Sequence, residues 1–167
     1  MDRNVERHPA LLQQLTAAYP NSIQVLVSEH PIHRYTCLMH VFEFVEKPNY
    51  IAIADYLGVN VFAGAEFAHW LINNRHLTQV PEAEAISRDL VMYFNECNFK
   101  HVGILQAGRR VVSKWGEGHL YNHALWEVPQ SYGDNVRFFE PLSYDDAYDR
   151  FTYFAEERGI RFEDPGG

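Results

Sequence analysis

Cysteine is scarce in this sequence: 167 residues contain two, Cys37 and Cys97. So low a count excludes a disulfide-stapled scaffold and fits a reducing compartment, although spacing leaves one disulfide between the pair open. Basic residues are also few, 14 against 22 acidic ones, for a net charge of −8. That balance argues against nucleic acid or an anionic membrane as the main partner, since both reward clustered Lys and Arg. The Arg109-Arg110 pair is too short a basic cluster to change this. No run approaches the ~18 apolar residues of a membrane-spanning helix. The start of the chain, Met1 to Pro9, is charged and has no apolar stretch of signal-peptide type. A cytoplasmic location is therefore expected, unless a dedicated system exports or injects the protein. Repeats, low-complexity tracts and long linkers are missing too.

What is present is apolar mass: 47% hydrophobic and 14% aromatic residues, enough for a substantial core. The length suits one domain over 1–167, with an N-terminal helix and loop over 1–35 and a loose tail over 160–167. Residues 5–18 read as an amphipathic helix with Leu11, Leu12 and Leu15 at helical spacing, stopped at Tyr19-Pro20-Asn21. Ile23 to Val27 reads as a strand, and residues 29–35 as a loop. A second helix is predicted from a Thr36 cap to a point before Pro48. Residues 51–57 fit a short helix or a strand. Residues 64–75 read as a third helix with Phe67, Leu71 and Trp70 on its buried stripe. After Pro81 the pattern turns to strands: Leu90–Asn95, Val102–Gln106, Arg110–Trp115, Val136–Glu140 and a short one near Ala124–Glu127, with Gly108 in a turn. Residues 143–158 form a last helix, capped by Ser143, with Asp145 and Asp146 in its first turn and Gly159 just beyond its end. Helices first and a strand meander after them indicate an α+β protein.

Two residues carry the chemistry. Cys37 opens an apolar, helix-like run, and His101 opens the strand-like run His101-Val102-Gly103-Ile104-Leu105. A thiolate is the reactive form of cysteine. Backbone amides at a helix start and a nearby imidazole stabilise it, and the imidazole later protonates the leaving group. The bland alternatives are a buried, inert core cysteine and a strand-edge histidine. Cys97, in a polar stretch between two strands, reads as a structural or loop thiol. His119 and His123 are four apart with Glu117 nearby, but no His-Glu-x-x-His pattern exists and Gly116 and Gly118 favour a loop, so no metal is predicted. His30 and His33 flank a proline in a loop near Cys37. Tyr35, Trp115, Trp126 and Tyr132 fit either a substrate wall or core packing.

The stretch from Ser87 to Trp115 resembles the NlpC-type papain-like cysteine peptidases. Ser-Arg-Asp-Leu-Val-Met-Tyr-Phe, His101-Val-Gly-Ile-Leu and Arg110-Val-Val-Ser-Lys are similar to that family's three strands. The order Cys then His, 64 residues apart, also suits it. The resemblance implies a papain-like α+β fold with N-terminal helices on an antiparallel sheet and a C-terminal helix. It implies Cys37 as nucleophile and His101 as base, with Ser113 orienting the imidazole. His123, His119 or Asn122 stand as alternatives for that third position. Tyr35, Trp115 and His119 are the candidate substrate-binding residues beside that dyad; the resemblance requires no cofactor and implies a peptide or amide-containing substrate. The family carries an acidic residue before its Cys and Ser-Gly after it, where this chain has Thr36 and Leu38-Met39. A catalytically inactive papain-like domain that binds a protein partner is thus the rival expectation. A second rival is an intracellular effector, toxin or transferase using the same dyad. Nothing in the sequence sets the oligomeric state.

Overall fold

Leu90-Val91-Met92-Tyr93-Phe94 is five apolar residues without alternation, the pattern of a strand covered on both faces. In the computed structural model, which describes residues 5–31, 35–46, 50, 63–116 and 118–160, all five are buried in β3 (Leu90–Asn95). The remaining strands are β1 (Gln24–Leu26), β2 (Gln79–Val80), β4 (Asn98–Gln106), β5 (Arg110–Lys114), β6 (Leu120–Ala124) and β7 (Asn135–Phe139). They form one sheet in the order β1-β6-β5-β4-β3-β7-β2, antiparallel at every pairing. Four α-helices stand beside it among the described residues: α1 (His8–Ala18), α2 (Cys37–Val41), α3 (Ala65–Asn73) and α4 (Tyr144–Glu156). The expected α+β class is what forms. Among the described residues, no helix is long and apolar enough to cross a membrane. His33, Glu117, residues 51–57 and the C-terminal tail lie outside the described residues.

The sheet separates two hydrophobic clusters. On one face Leu90, Met92, Phe94, Phe99, Val102 and Phe139 pack with Leu38, Phe42, Phe67, Leu71, Phe151 and Phe154 from the helical side. Burying a side chain of this size is worth about 1.5–3 kcal/mol, so this layer dominates the folding drive. On the other face Val91, Tyr93, Leu105, Val111 and Phe138 form a smaller cluster. Phe67 and Leu71 of α3 are buried as its helical spacing predicts. Ser143 caps α4 by accepting the Asp146 amide at 3.1 Å, and Gly159 takes φ 84° just past the helix. Gly108 takes φ 70° in the β4–β5 turn. Gly103 exists for packing: a Cβ there would lie 2.5 Å from Val111 Cγ1 and 2.7 Å from Ser113 Cβ on the neighbouring strand.

Three expectations change. The helix predicted from Thr36 to a point before Pro48 ends at Val41, and a separate 3-10 turn follows over Phe44–Glu46. Glu43, at φ 59°, breaks the helical path between them. The strand expected to begin at Val102 begins at Asn98, because Asn95 and Asn98 pair across a tight turn in which Glu96 has φ 55°. His101 therefore lies inside β4, opposite Tyr93, rather than opening the strand. The short strand expected at Ala124–Glu127 lies instead at Leu120–Ala124, and the Glu127 amide closes a turn onto the Ala124 carbonyl at 3.0 Å. Its buried positions are Tyr121 and His123, polar residues that conceal the period-two pattern in the sequence.

Candidate functional site

Thr36 fixes where Cys37 sits. Its hydroxyl accepts the Met39 amide at 3.2 Å, which caps α2, and donates to the Ala63 carbonyl at 3.0 Å, which ties the cap to the segment entering α3. α2 packs on β4 and β5. The β4–β5 ladder starts at Gly103 opposite Ser113. Just ahead of it, the backbone amide of Val102 faces the Cys37 sulfur, together with the amides of Leu38 and of Cys37 itself. Cys37 is half-buried as a residue. The protein around its sulfur desolvates a thiolate and pushes the thiol's pKa up, while the three amides and the Lys114 ammonium act in the opposite direction. Both cysteines are free, and Cys97 is exposed.

His101 is the chain neighbour of the amide that faces Cys37. It is 1% exposed, and its Nε2 is buried without a hydrogen-bond partner. Burial pushes its pKa well below the usual imidazole value, and His123, Lys114 and His40 add to that. The imidazole is neutral at physiological pH. Stacking rather than hydrogen bonding holds it: Tyr132 lies against it with centroids 4.1 Å apart and planes 20° apart, and Tyr93 lies 5.7 Å away. The Tyr132 hydroxyl faces the Gly116 amide. Burial raises its pKa, and charge on Cys37 and Tyr121 raises it further. Gly133 delivers Tyr132 to this place, since its backbone runs against the end of β3 where a Cβ would collide with Phe94.

Ser113 and His123, the residues expected to orient His101, are bonded to each other. The His123 Nδ1 lies 2.8 Å from the Ala124 carbonyl, which can only accept, so Nδ1 carries the proton. Its Nε2 then accepts from the Ser113 hydroxyl at 2.8 Å, and Ser113 Oγ accepts from Trp115 Nε1 at 3.0 Å. The side-chain polar groups of Trp115, Ser113 and His123 are all satisfied by these bonds. Ser113 and His123 are fully buried, and burial lowers the His123 pKa. The third position is corrected accordingly: neither side chain holds the His101 Nε2. The reason is register, which pairs Ser113 with Gly103, two residues along the strand from His101, and with Tyr121 on the other side, where His123 and Trp115 converge on it. Asn122 is likewise occupied, accepting from Arg110 Nε at 2.6 Å.

The expected substrate wall is mostly interior. Trp115 is buried, 4.2 Å from the Tyr121 ring. Tyr35 is buried with its hydroxyl 2.6 Å from Ser28 Oγ, beside Lys114 and 6.2 Å from the His30 ring. His119 packs its ring edge-on to Tyr121 at 6.3 Å, and its carbonyl accepts the Trp115 amide at 3.2 Å. His119 precedes β6 and His123 lies within it, so the two do not share a helical face. Trp126 is exposed, on the turn after β6. Two groups near Cys37 escaped the sequence reading. His40 lies one helical turn beyond Cys37, its Nε2 is buried without a partner, and burial lowers its pKa to about 4. Lys114 is completely buried on β5. The i,i+3 spacing from Cys37 signals the first, and a lysine at an inward strand position signals the second. Among the described residues, no group of three or more His, Cys, Asp or Glu is placed to hold a metal ion.

Comparison with known proteins brings no match: no family model, no curated protein and no solved structure is significantly similar to this chain.

Proposed function

We propose that the protein is a thiol-dependent acyl hydrolase of papain-like type, acting on an amide or ester bond, with Cys37 as nucleophile and His101 as general base. The observation that carries this reading is His101: a neutral imidazole, almost wholly buried, with an unpaired Nε2, one residue from the amide that faces the Cys37 sulfur. A buried polar atom without a partner is costly, about 1–3 kcal/mol, and such atoms are concentrated where function requires them. A helix starting at the cysteine and packed on an antiparallel sheet that carries the histidine further along the chain supports the papain-like arrangement.

The resting pair is neutral thiol and neutral imidazole. In the proposed reaction, the Cys37 thiol proton passes to His101 as the sulfur bonds to the substrate carbonyl carbon. Negative charge develops beside the amides of Cys37, Leu38 and Val102. The carbonyl–nitrogen or carbonyl–oxygen bond then breaks, and His101 returns its proton to the leaving amine or alcohol. Water attacks the resulting thioester, with His101 again taking the proton. The sulfur–carbon bond breaks, the carboxylic acid departs and the thiol is restored. Tyr132 serves as the positioning residue in place of a third hydrogen-bonding group.

A second reading is a catalytically inactive papain-like domain that binds a protein partner. The upward push on the Cys37 thiol and the burial of His101 favour it. Mixing the protein with a p-nitrophenyl ester decides between them. Hydrolysis by Cys37 predicts a burst of one p-nitrophenolate per chain, an acyl mass adduct on Cys37, and loss of both in Cys37→Ala and His101→Gln. No burst, with Cys97 acylated as fast as Cys37, sinks the hydrolase reading.

A further inference from the structure

Lys114, the last residue of β5, is 0% exposed. Burying an ammonium costs several kcal/mol, and an aliphatic side chain of similar size packs such a position without that cost. Strand alternation turns Lys114 with Val112 toward α2, while Ser113 turns to the other face. Its Nζ donates to the Gly116 carbonyl at 2.5 Å and lies 4.8 Å from the centroid of the Tyr35 ring. Tyr35 precedes Cys37 by two residues, and the helix that Cys37 opens packs against β5. The ammonium is therefore held at a fixed place beside the start of α2.

We propose that Lys114 is the fixed cation of the thiol site, stabilising negative charge at Cys37 so that His101 works as a neutral base rather than as an imidazolium partner. Among the described residues, the titratable groups on which the Lys114 ammonium acts are Cys37 and His40 from α2 and His101 from β4, and it lies over the ring of Tyr35. Burial disfavours charge on His40, His101 and His123, and Lys114 itself disfavours it further on the first two. None of the three imidazoles is suited to supply positive charge. Tyr121 and Tyr132 are both pushed up. Among the described residues, Cys37 is the group whose anion the ammonium favours.

The catalytic meaning of this role rests on the hydrolase reading, but its test needs no turnover. Iodoacetamide alkylation of Cys37, followed by peptide mapping from about pH 6 to about pH 11, reads the thiolate fraction directly. In Lys114→Met the profile is expected to move up by about one pH unit, slowing alkylation at neutral pH by about tenfold, while Cys97 in the same molecule keeps its wild-type rate. Superimposable Cys37 profiles in the two folded proteins overturn the proposal. Should the variant not fold, the wild-type background still decides. The chain has three lysines, so Lys47→Arg with Lys100→Arg leaves Lys114 as the one ε-13C-lysine resonance. Lys114 is expected to remain an ammonium throughout the Cys37 titration. Loss of its proton at a lower pH than the thiol loses its own overturns the idea. A missing ester burst beside a normal Lys114 effect removes the hydrolase reading alone.

Discussion

Gly133→Ala is the sharpest structural perturbation available, because two independent constraints meet there. The backbone sits at φ 99° and ψ −176°, a region open almost exclusively to glycine. A Cβ would also collide with the Phe94 carbonyl and lie 2.7 Å from the Asn95 nitrogen, both main-chain atoms of β3 that cannot rotate away. Relief requires the turn to lift off the strand, which breaks the 3.2 Å bond from the Asp134 amide to the Phe94 carbonyl and draws Tyr132 off His101. The strained backbone costs about 1–3 kcal/mol and the lost hydrogen bond about 1 kcal/mol. A total near ~3 kcal/mol lowers the Tm of a chain this long by about 6–12 °C. Gly108→Ala is the control: φ is 70°, yet nothing lies within 4 Å of the added carbon, so about 1 kcal/mol is expected. Thermal and urea unfolding of the two variants side by side is the assay. If Gly133→Ala loses no more stability than Gly108→Ala, the close approach of this turn to β3 is wrong, and with it the account of how Tyr132 reaches His101.

Two further outcomes are expected. Ser113→Ala leaves Trp115 Nε1 and His123 Nε2 unpaired in the interior, so urea unfolding should show a loss of about 1–3 kcal/mol, with Cys37 acylation retained in the folded protein; loss of acylation at unchanged stability would return Ser113 to the role of imidazole orienter. Stability should also fall on acidification. His40, His101 and His123 have folded pKa values below the unfolded value of 6.5, so the unfolded chain binds protons first. Their contribution is complete above about pH 6.5 and declines as the pH drops from there toward about 4, while the smaller contribution of Glu127, whose pKa is also depressed, is lost at lower pH still. Urea midpoints that stay constant between about pH 7 and about pH 5 contradict this, and His40→Gln should flatten part of the slope.

The sequence by itself determined the α+β class, the inner strand β3, the α3 stripe, the Thr36 and Ser143 caps and the Gly108 turn, because each rests on local periodicity or on a side chain reaching its own backbone a few residues away. It also singled out Cys37 and His101 as residue types suited to one another. Tertiary structure decided what surrounds them. Whether Ser113 faces His101 or His123 depends on the register between β4, β5 and β6, which no single strand encodes. The stacking of Tyr132 on His101 depends on a glycine 32 residues further along the chain that lets the turn lie against β3. Lys114 reads as an ordinary polar residue until α2 and β5 close over it and turn its charge toward a thiol 77 positions earlier. Non-local packing fixed these charges and proton sites, because pKa and orientation follow from desolvation and neighbours that only the folded chain assembles.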